Sequence, residues 1–382
     1  MILKEVYITR TSGFLPNEAV SNDEIESVLG MINGKPSKSR AIVLRNNGIK
    51  RRFYALDKSG NITHNNAEMV ALAVRGLFDN NADELKSIEL FTCGTSSPDQ
   101  IMPSHGVMVH GLLPETGPIE VVTPSGNCCA GMHALKYAFM AIKTGEVQKA
   151  VTAGSEHTSR LMCASTFEEE AAKLNEMEQN PYLSFEKDFL RWMLSDGAGA
   201  FLLSDKKNNS GPSLKIEWIE SASYAHAVET CMYQGCEKLP DGTIKSYMEF
   251  TAQEIGEKSV LAMKQDTKLL DKYIVELGYE TLKNIIEKKN LDTSALDYFL
   301  PHISSEFFRK KIAAKLVEKG IDIPTEKWYT NLSEVGNVGA GSIYLMVDEL
   351  MESNKLKVGQ QLLLMVPESS RFSYVYALLT VC

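Results

Sequence analysis

Two periodicities alternate along this 382-residue chain, and few architectures accommodate that alternation. Ile88-Glu89-Leu90-Phe91-Thr92 is a short apolar run that ends at the turn signal Cys93-Gly94, and Ile119–Val122, Ala150–Gly154 and Ala198–Leu203 are further runs of strand length. Between them, from Cys129 to Lys143, Met132, Leu135, Phe139 and Ile142 recur at three- and four-residue steps. That is the stripe of a helix with one buried face, and Gly145 stops it. The second half repeats the style, with a long helix predicted over Lys268–Lys288 and strands at Tyr298–Leu300 and Leu362–Val366. Strand–helix–strand in both halves predicts an α/β protein. The stretch 205–212 turns polar and carries Gly and Pro, so a boundary is placed there, between halves 1–208 and 209–382. Segment Phe167–Phe189, acidic and then aromatic, reads as an insertion on the first half.

Charge and cysteine usage exclude several classes. A formal charge of −9 argues against nucleic-acid binding, which favours a basic surplus. The seven cysteines are scattered, with no CxxC pair, so neither a disulfide framework nor a zinc ribbon or other metal site is suggested. The cytoplasm is the expected compartment. The start, Met1-Ile2-Leu3-Lys4-Glu5-Val6, lacks the pattern of a secretory signal, and no uncharged apolar stretch is long enough to span a membrane.

Three places could do chemistry. In Asn127-Cys128-Cys129-Ala130-Gly131 a helix is expected to start at Cys129. A thiol there meets the positive end of the helix dipole and free backbone N–H groups, which favour the thiolate. Read by itself the pair could equally be two buried core cysteines. In Tyr298-Phe299-Leu300-Pro301-His302 a buried strand ends on a His, where α/β folds place their sites, although a lone His is more often a core or surface residue. In Gly336-Asn337-Val338-Gly339-Ala340-Gly341-Ser342 a glycine-rich loop opens a helix. It is neither a phosphate loop nor a GxGxxG fingerprint, so its Asn is either a held amide donor or plain turn chemistry.

Taken together, Cys, His and Asn in this order, with their flanks, resemble β-ketoacyl-ACP synthase III, a thiolase-fold condensing enzyme. Gly48-Ile49-Lys50-Arg51-Arg52, Gly154-Ser155-Glu156 and Ser195-Asp196-Gly197-Ala198-Gly199-Ala200 are similar to further motifs of that family. The resemblance runs over nearly the whole chain. It implies two similar α/β halves in a five-layer αβαβα sandwich, a homodimer, and acyl thioesters carried on the phosphopantetheine of acyl carrier protein or CoA, with no other cofactor. By the family's Cys-Ala-Gly register it makes Cys129 the acylated nucleophile rather than Cys128. His302 and Asn337 become the donors that stabilise the enolate left by decarboxylation of a malonyl-type thioester. The backbone N–H groups of Cys129 and Ser370 become the oxyanion hole of the Claisen step.

Several residues depart from the family pattern. The glycines of its C-terminal loop are here Ser369-Ser370-Arg371, and Ile303-Ser304-Ser305 follows the His. No tryptophan suited to a CoA adenine stands in Ala41–Arg45, which tilts the donor toward carrier protein. Arg309-Lys310-Lys311 could dock that acidic partner, or be a solvated helix face. Glu156 is either a structural acid or a general base. The base reading goes with a second resemblance, in Phe189–Gly197 and His302–Ser305, to the ketosynthases that condense and cyclise to dialkylresorcinols and cyclohexanediones. A non-condensing acyltransferase on the same fold is a further alternative, against which stands the retention of both His302 and Asn337. Segment Phe167–Phe189, with Tyr182 and Phe185, is expected near the dimer interface or over the acyl pocket.

Overall fold

The computed structural model describes residues 3–167 and 189–382. The expected position of Tyr182 and Phe185 therefore lies outside the described residues. The large sheet is built from β1 (Tyr7–Phe14), β2 (Leu90–Thr95), β3 (Glu120–Val122), β4 (Lys149–Glu156), β5 (Gly197–Ser204), β6 (Leu214–Ser223), β7 (Tyr298–Pro301), β8 (Gln361–Glu368) and β9 (Ser373–Val381). Its strand order is β7-β8-β9-β6-β1-β5-β4-β2-β3. In the first half β3, β2 and β4 run parallel, and β5 and β1 follow antiparallel. In the second half β7 and β8 run parallel, with β9 and β6 antiparallel beside them. The halves meet where β1 pairs β6 at Tyr7–Lys215 and Ile8–Leu214. The α/β reading and the thiolase-like arrangement of two similar halves are what the structure has.

Helices complete the layers: α1 (Asn66–Gly76), α2 (His105–Gly111), α3 (Cys129–Thr144), α4 (Thr267–Lys289), α5 (Glu306–Glu318) and α6 (Ser342–Glu352). The stripe read from the sequence is the buried face of α3, where Met132, Leu135, Phe139 and Ile142 join one core with Tyr344 and Val347 of α6 and Leu364 and Val366 of β8. Each such side chain contributes about 1.5–3 kcal/mol by burial. Gly145, at φ 82°, ends α3 in the left-handed conformation that glycine adopts at least cost. A second core gathers α1 with β2, β4 and β5, and a third gathers α4 and α5 with β7, β8 and β9. Helix pair α3/α6 is thus the middle layer, and the others lie outside. Two glycines permit that middle layer: a Cβ at Gly131 of α3 or at Gly154 of β4 would run into the carbonyl oxygen of Ala340. Tyr344 pins the same place, since its hydroxyl donates to the Gly131 carbonyl at 2.8 Å and shares a 2.8 Å hydrogen bond with Thr152.

The Ser195-Asp196-Gly197 motif is structural. Asp196 is fully buried and accepts from the N–H groups of Ala55 (2.8 Å), Thr158 (2.7 Å) and Ser159 (2.9 Å), and from the Ser159 hydroxyl. It ties β5 to the segment after β4 and to the residues following Arg52. Asp196→Ala leaves three buried backbone donors without their partner, at about 1–3 kcal/mol each. The expected result is a loss of about 3–6 kcal/mol in urea unfolding, whereas Asp196→Asn, which keeps one acceptor oxygen, loses less. Equal losses in the two variants would show that the acceptor count does not set the cost.

No helix among the described residues is long and apolar enough to cross a membrane.

Candidate active site

The parallel strands of both halves deliver their carboxyl ends to one cavity. From the first half come Ser96 beyond β2, Glu156 at the end of β4, and Asn127 and Cys128 at the head of α3. From the second come His302, directly after β7, and Met365, Pro367 and Ser369 along β8 and beyond it. Asn337 and Gly339 enter from the loop before α6. Apolar side chains of α4 (Leu270, Ile274, Val275) and α5 (Phe308, Ile312) form the far wall.

Of the three residues taken for catalysis, two are in the cavity and one is not. His302 and Asn337 line it. Cys129 is fully buried in the core of the middle layer, and its thiol donates to the Val366 carbonyl at 3.3 Å. The cavity receives the neighbouring thiol: Cys128 is partly exposed and lines the wall beside Asn127. The two side chains leave adjacent residues about 100° apart around the helix axis, so one thiol meets the core while its neighbour meets the cavity.

Asn337 is held as a donor. Its backbone pairs with segment 193–195, the Ser195 N–H reaching the Asn337 carbonyl at 2.9 Å and the Asn337 N–H reaching the Met193 carbonyl at 3.0 Å. Its Oδ1 accepts the Gly339 N–H at 2.9 Å, which leaves the side-chain NH2 to face the cavity. Segment 193–195 is itself anchored by the fully buried Arg52, which donates to the Trp192 carbonyl at 2.7 Å. His302 is fixed through its backbone N–H, 2.8 Å from the Met365 carbonyl. Burial pushes its pKa down to about 4, so the imidazole is neutral at pH 7 and presents one N–H.

Glu156 faces the cavity with its lone pairs already engaged. Oε2 accepts from the hydroxyls of Ser97 (2.5 Å) and Ser96 (2.7 Å), and Oε1 accepts from the N–H groups of Ser96 and Ala340, both at 3.2 Å. Burial raises its pKa and these donors oppose the rise. This geometry bonds β2, β4 and the 339–341 loop together, as the structural reading of Glu156 expects.

The oxyanion reading meets an obstacle at Cys129. Its N–H is taken by a carboxylate, Glu368 Oε2 at 3.1 Å. Ser370 stands next to that carboxylate, and its hydroxyl donates to Glu368 Oε1 at 2.6 Å. Glu368 had drawn no notice in the sequence; its one signal is a charge at the end of the apolar run Leu362–Pro367. Burial raises the Cys128 pKa, and the carboxylates of Glu368 and Glu156 add to the rise. The expected stabilisation of a thiolate by the helix end is therefore opposed by two nearby negative charges.

In the basic trio on α5, Arg309 lies 3.7 Å from Glu306 and stacks over Trp328, and Lys311 pairs with Asp271. Lys310 alone of the three is exposed and without an ion-pair partner among the described residues.

Known proteins resemble this chain over most of its length. The family described as 3-oxoacyl-[acyl-carrier-protein (ACP)] synthase III, C terminal, matches residues 286–367, the stretch that holds β7, His302 and Asn337. A β-ketoacyl-[acyl-carrier-protein] synthase III of Clostridium novyi is 22% identical over 359 residues, 94% of each chain. Its counterpart in Clostridium perfringens is 24% identical over 92% of each. The chain is thus similar to β-ketoacyl-ACP synthase III enzymes over nearly its whole length. Solved relatives share the whole fold. The tetronic acid condensing enzyme AbyA1 superposes with a TM-score of 0.74 at 20% identity, covering 98% of this chain and 99% of that one. Xanthomonas campestris OleA gives 0.73 at 17% identity with 99% of each chain covered. Its middle layer and two halves are those of the thiolase fold that these solved structures share.

Proposed function

We propose that the protein is a ketosynthase that takes an acyl group onto Cys128 and joins it to a carrier-bound malonyl or β-ketoacyl thioester by Claisen condensation. The observation that carries this reading is the convergence of Cys128, His302 and the tethered Asn337 amide on one cavity. In the first step Cys128 Sγ attacks the primer thioester. The S–acyl bond forms, the donor C–S bond breaks, and the thiol proton passes to the departing sulfur. In the second step the extender loses CO2, and the electron pair of the broken bond becomes an enolate. Its oxygen accepts hydrogen bonds from neutral His302 and the Asn337 NH2. The enolate carbon then attacks the Cys128-bound acyl carbonyl, the acyl C–S bond breaks, and the released thiolate takes a proton from solvent.

The walls suit an aliphatic primer. A smaller void shares Val275, Ile312 and Met365 with the first and continues between α4 and α5 against Leu282, Phe299 and Leu316. An acyl chain packed along the apolar wall of the main cavity would bury its methylenes at about 0.8 kcal/mol each. OleA, on the same fold, has been solved with lauric acid and lauroyl-CoA bound. Acyl carrier protein is the proposed donor and extender partner, with exposed Lys310 as one contact. The seven unpaired cysteines suit a cytoplasmic enzyme. The cyclising alternative needs a free base, and the donors saturating Glu156 speak against that residue for the role.

A homodimer is part of the proposal. β3 is one edge of the large sheet, and exposed Ile101, Met102, Val107, Met108 and Leu112 lie on α2 and at its two ends. That apolar patch suits a buried interface better than solvent. Light scattering is expected to give twice the 42.4 kDa chain mass, and a monomer at working concentration would contradict the dimer.

The decisive experiment for the activity is intact-mass detection of acyl-enzyme across a panel of primer thioesters, followed by malonyl- or β-ketoacyl-carrier protein and product identification. A linear β-ketoacyl product supports the simple ketosynthase and a ring supports the cyclising branch. Transfer to an oxygen or nitrogen acceptor with no new carbon–carbon bond would reject condensation.

A further inference from the structure

We propose that Gln265 is a specificity-determining residue: its amide interrupts an apolar stretch of the cavity wall and selects an acyl thioester that carries an oxygen, keto or hydroxyl, on the β-carbon over the plain alkyl chain of the same length. This rests on the reading of the cavity as an acyl-thioester site, and it holds whichever cysteine is acylated.

The geometry starts just before α4. Lys264–Gln265 pairs antiparallel with Met232–Tyr233, and Asp266 then caps the helix, accepting the N–H groups of Lys268 at 3.1 Å and Leu269 at 3.0 Å. The short ladder hangs from the β8–β9 hairpin, because the N–H groups of Cys231 and Met232 both reach the Ser370 carbonyl, at 2.8 and 3.3 Å. Gln265 is therefore held from both sides. It lines the cavity among Met232, Met263, Leu270 and Ile274, and it is 4% exposed. A buried amide in such company needs partners for two donors and one acceptor. Nε2 donates to Ser369 Oγ at 3.0 Å, and its other hydrogen meets only the Cys231 sulfur at 3.8 Å. Oε1 accepts no hydrogen bond among the described residues.

That leaves one end of the amide for a ligand. Water serves it while the cavity is open, and an acyl chain filling the cavity displaces that water. A plain methylene chain gives nothing back, so the amide is left buried and unpaired, whereas an oxygen on the chain restores the bond. Either kind of oxygen can be met. As oriented, Oε1 accepts from a hydroxyl. The Ser369 hydroxyl spends its own hydrogen only on the Met232 sulfur at 3.7 Å. If it turns to donate to Oε1 instead, the amide presents NH2 to a keto oxygen. The place along the chain follows from Ser369. It is the residue after Glu368, whose carboxylate bonds the head of α3, and Leu282 and Leu316 lie in the smaller void at the other end. The amide thus stands at the reacting end, so the oxygen it reads is the one nearest the thioester.

The test is isothermal titration calorimetry of the full chain with three pantetheine amides, decanoyl, β-oxodecanoyl and β-hydroxydecanoyl, in which nitrogen replaces the thioester sulfur so that no acyl group is transferred. The parent is expected to bind at least one oxygenated compound about tenfold or more tightly than the decanoyl compound. Preference for the keto compound means that the amide presents NH2, and preference for the hydroxyl compound that it presents Oε1. Gln265→Leu is expected to bring the ratio to within about twofold of one. Gln265→Met, unbranched and of similar length, is the second variant, and whichever folds decides. Equal affinities in the parent overturn the inference, as does an unchanged ratio in a folded variant. So does a variant that weakens all three compounds alike, since the amide would then hold the shared pantetheine arm or merely brace the hairpin. The ketosynthase reading is tested apart from this. A preference for oxygenated chains in a protein that condenses no thioester keeps the inference and removes that reading, and condensation without any preference does the reverse.

Discussion

Cys128→Ala is expected to abolish the acyl-enzyme, and Cys129→Ala to retain it. The two thiols are adjacent in sequence, yet they face different surroundings. Cys129 has no solvent-accessible surface, belongs to the core that includes Met132, Leu135 and Val366, and spends its S–H on the Val366 carbonyl. To reach a thioester it would have to leave that core, breaking the buried register of α3. Cys128 needs no such movement, because it already lines the cavity with His302 and Asn337. Cys129→Ala removes one buried sulfur and costs about 1–2 kcal/mol of stability, with loading preserved. The check is intact mass after incubation with a primer thioester, followed by peptide mapping. Label on Cys129, or loading that survives in Cys128→Ala, would falsify the assignment.

This pair of residues also shows what can be read from sequence. The helix from Cys129 to Lys143 was legible because one apolar stripe persists over four turns, and the structure has it at Cys129–Thr144. The strand ends at Glu156 and His302 were legible because short apolar runs stop abruptly there. What was not legible depends on contacts between distant segments. Glu368 reaches the head of α3 only because the β8–β9 hairpin folds back onto the other half, and a lone carboxylate after a strand announces no partner. The donors around Glu156 come from residues 96 and 97, just after β2, and from residue 340, before α6, two segments far apart in sequence, so local sequence left both of its roles open. The basic trio on α5 read as free charge, because its partners Asp271 and Trp328 lie on other segments.

The second large effect concerns the other two cavity residues. His302→Ala and Asn337→Ala are each expected to lower condensation by about two to three orders of magnitude, the cost of one lost oxyanion donor, while acyl loading onto Cys128 continues. The asymmetry follows from where charge develops. In loading, the thiol proton passes between sulfurs and the transient oxyanion forms on the primer carbonyl. In decarboxylation, a full negative charge appears on the extender's thioester oxygen, and only donors fixed in advance can meet it without reorganising. Asn337 is fixed, because Oδ1 is committed to the Gly339 N–H and the backbone to residues 193 and 195. His302 is fixed by its place after β7, and with its pKa held down to about 4 by burial it remains a neutral donor from neutral pH down to pH 5. Its contribution to the pH profile of condensation is therefore expected to be flat across that range, where an unperturbed His would show a limb near 6.5. Single-turnover loading and CO2 release from malonyl-carrier protein separate the two steps. A variant that released CO2 at the parent rate would remove that residue from the decarboxylation step, and one that lost loading as severely as condensation would make it a partner of the thiol instead.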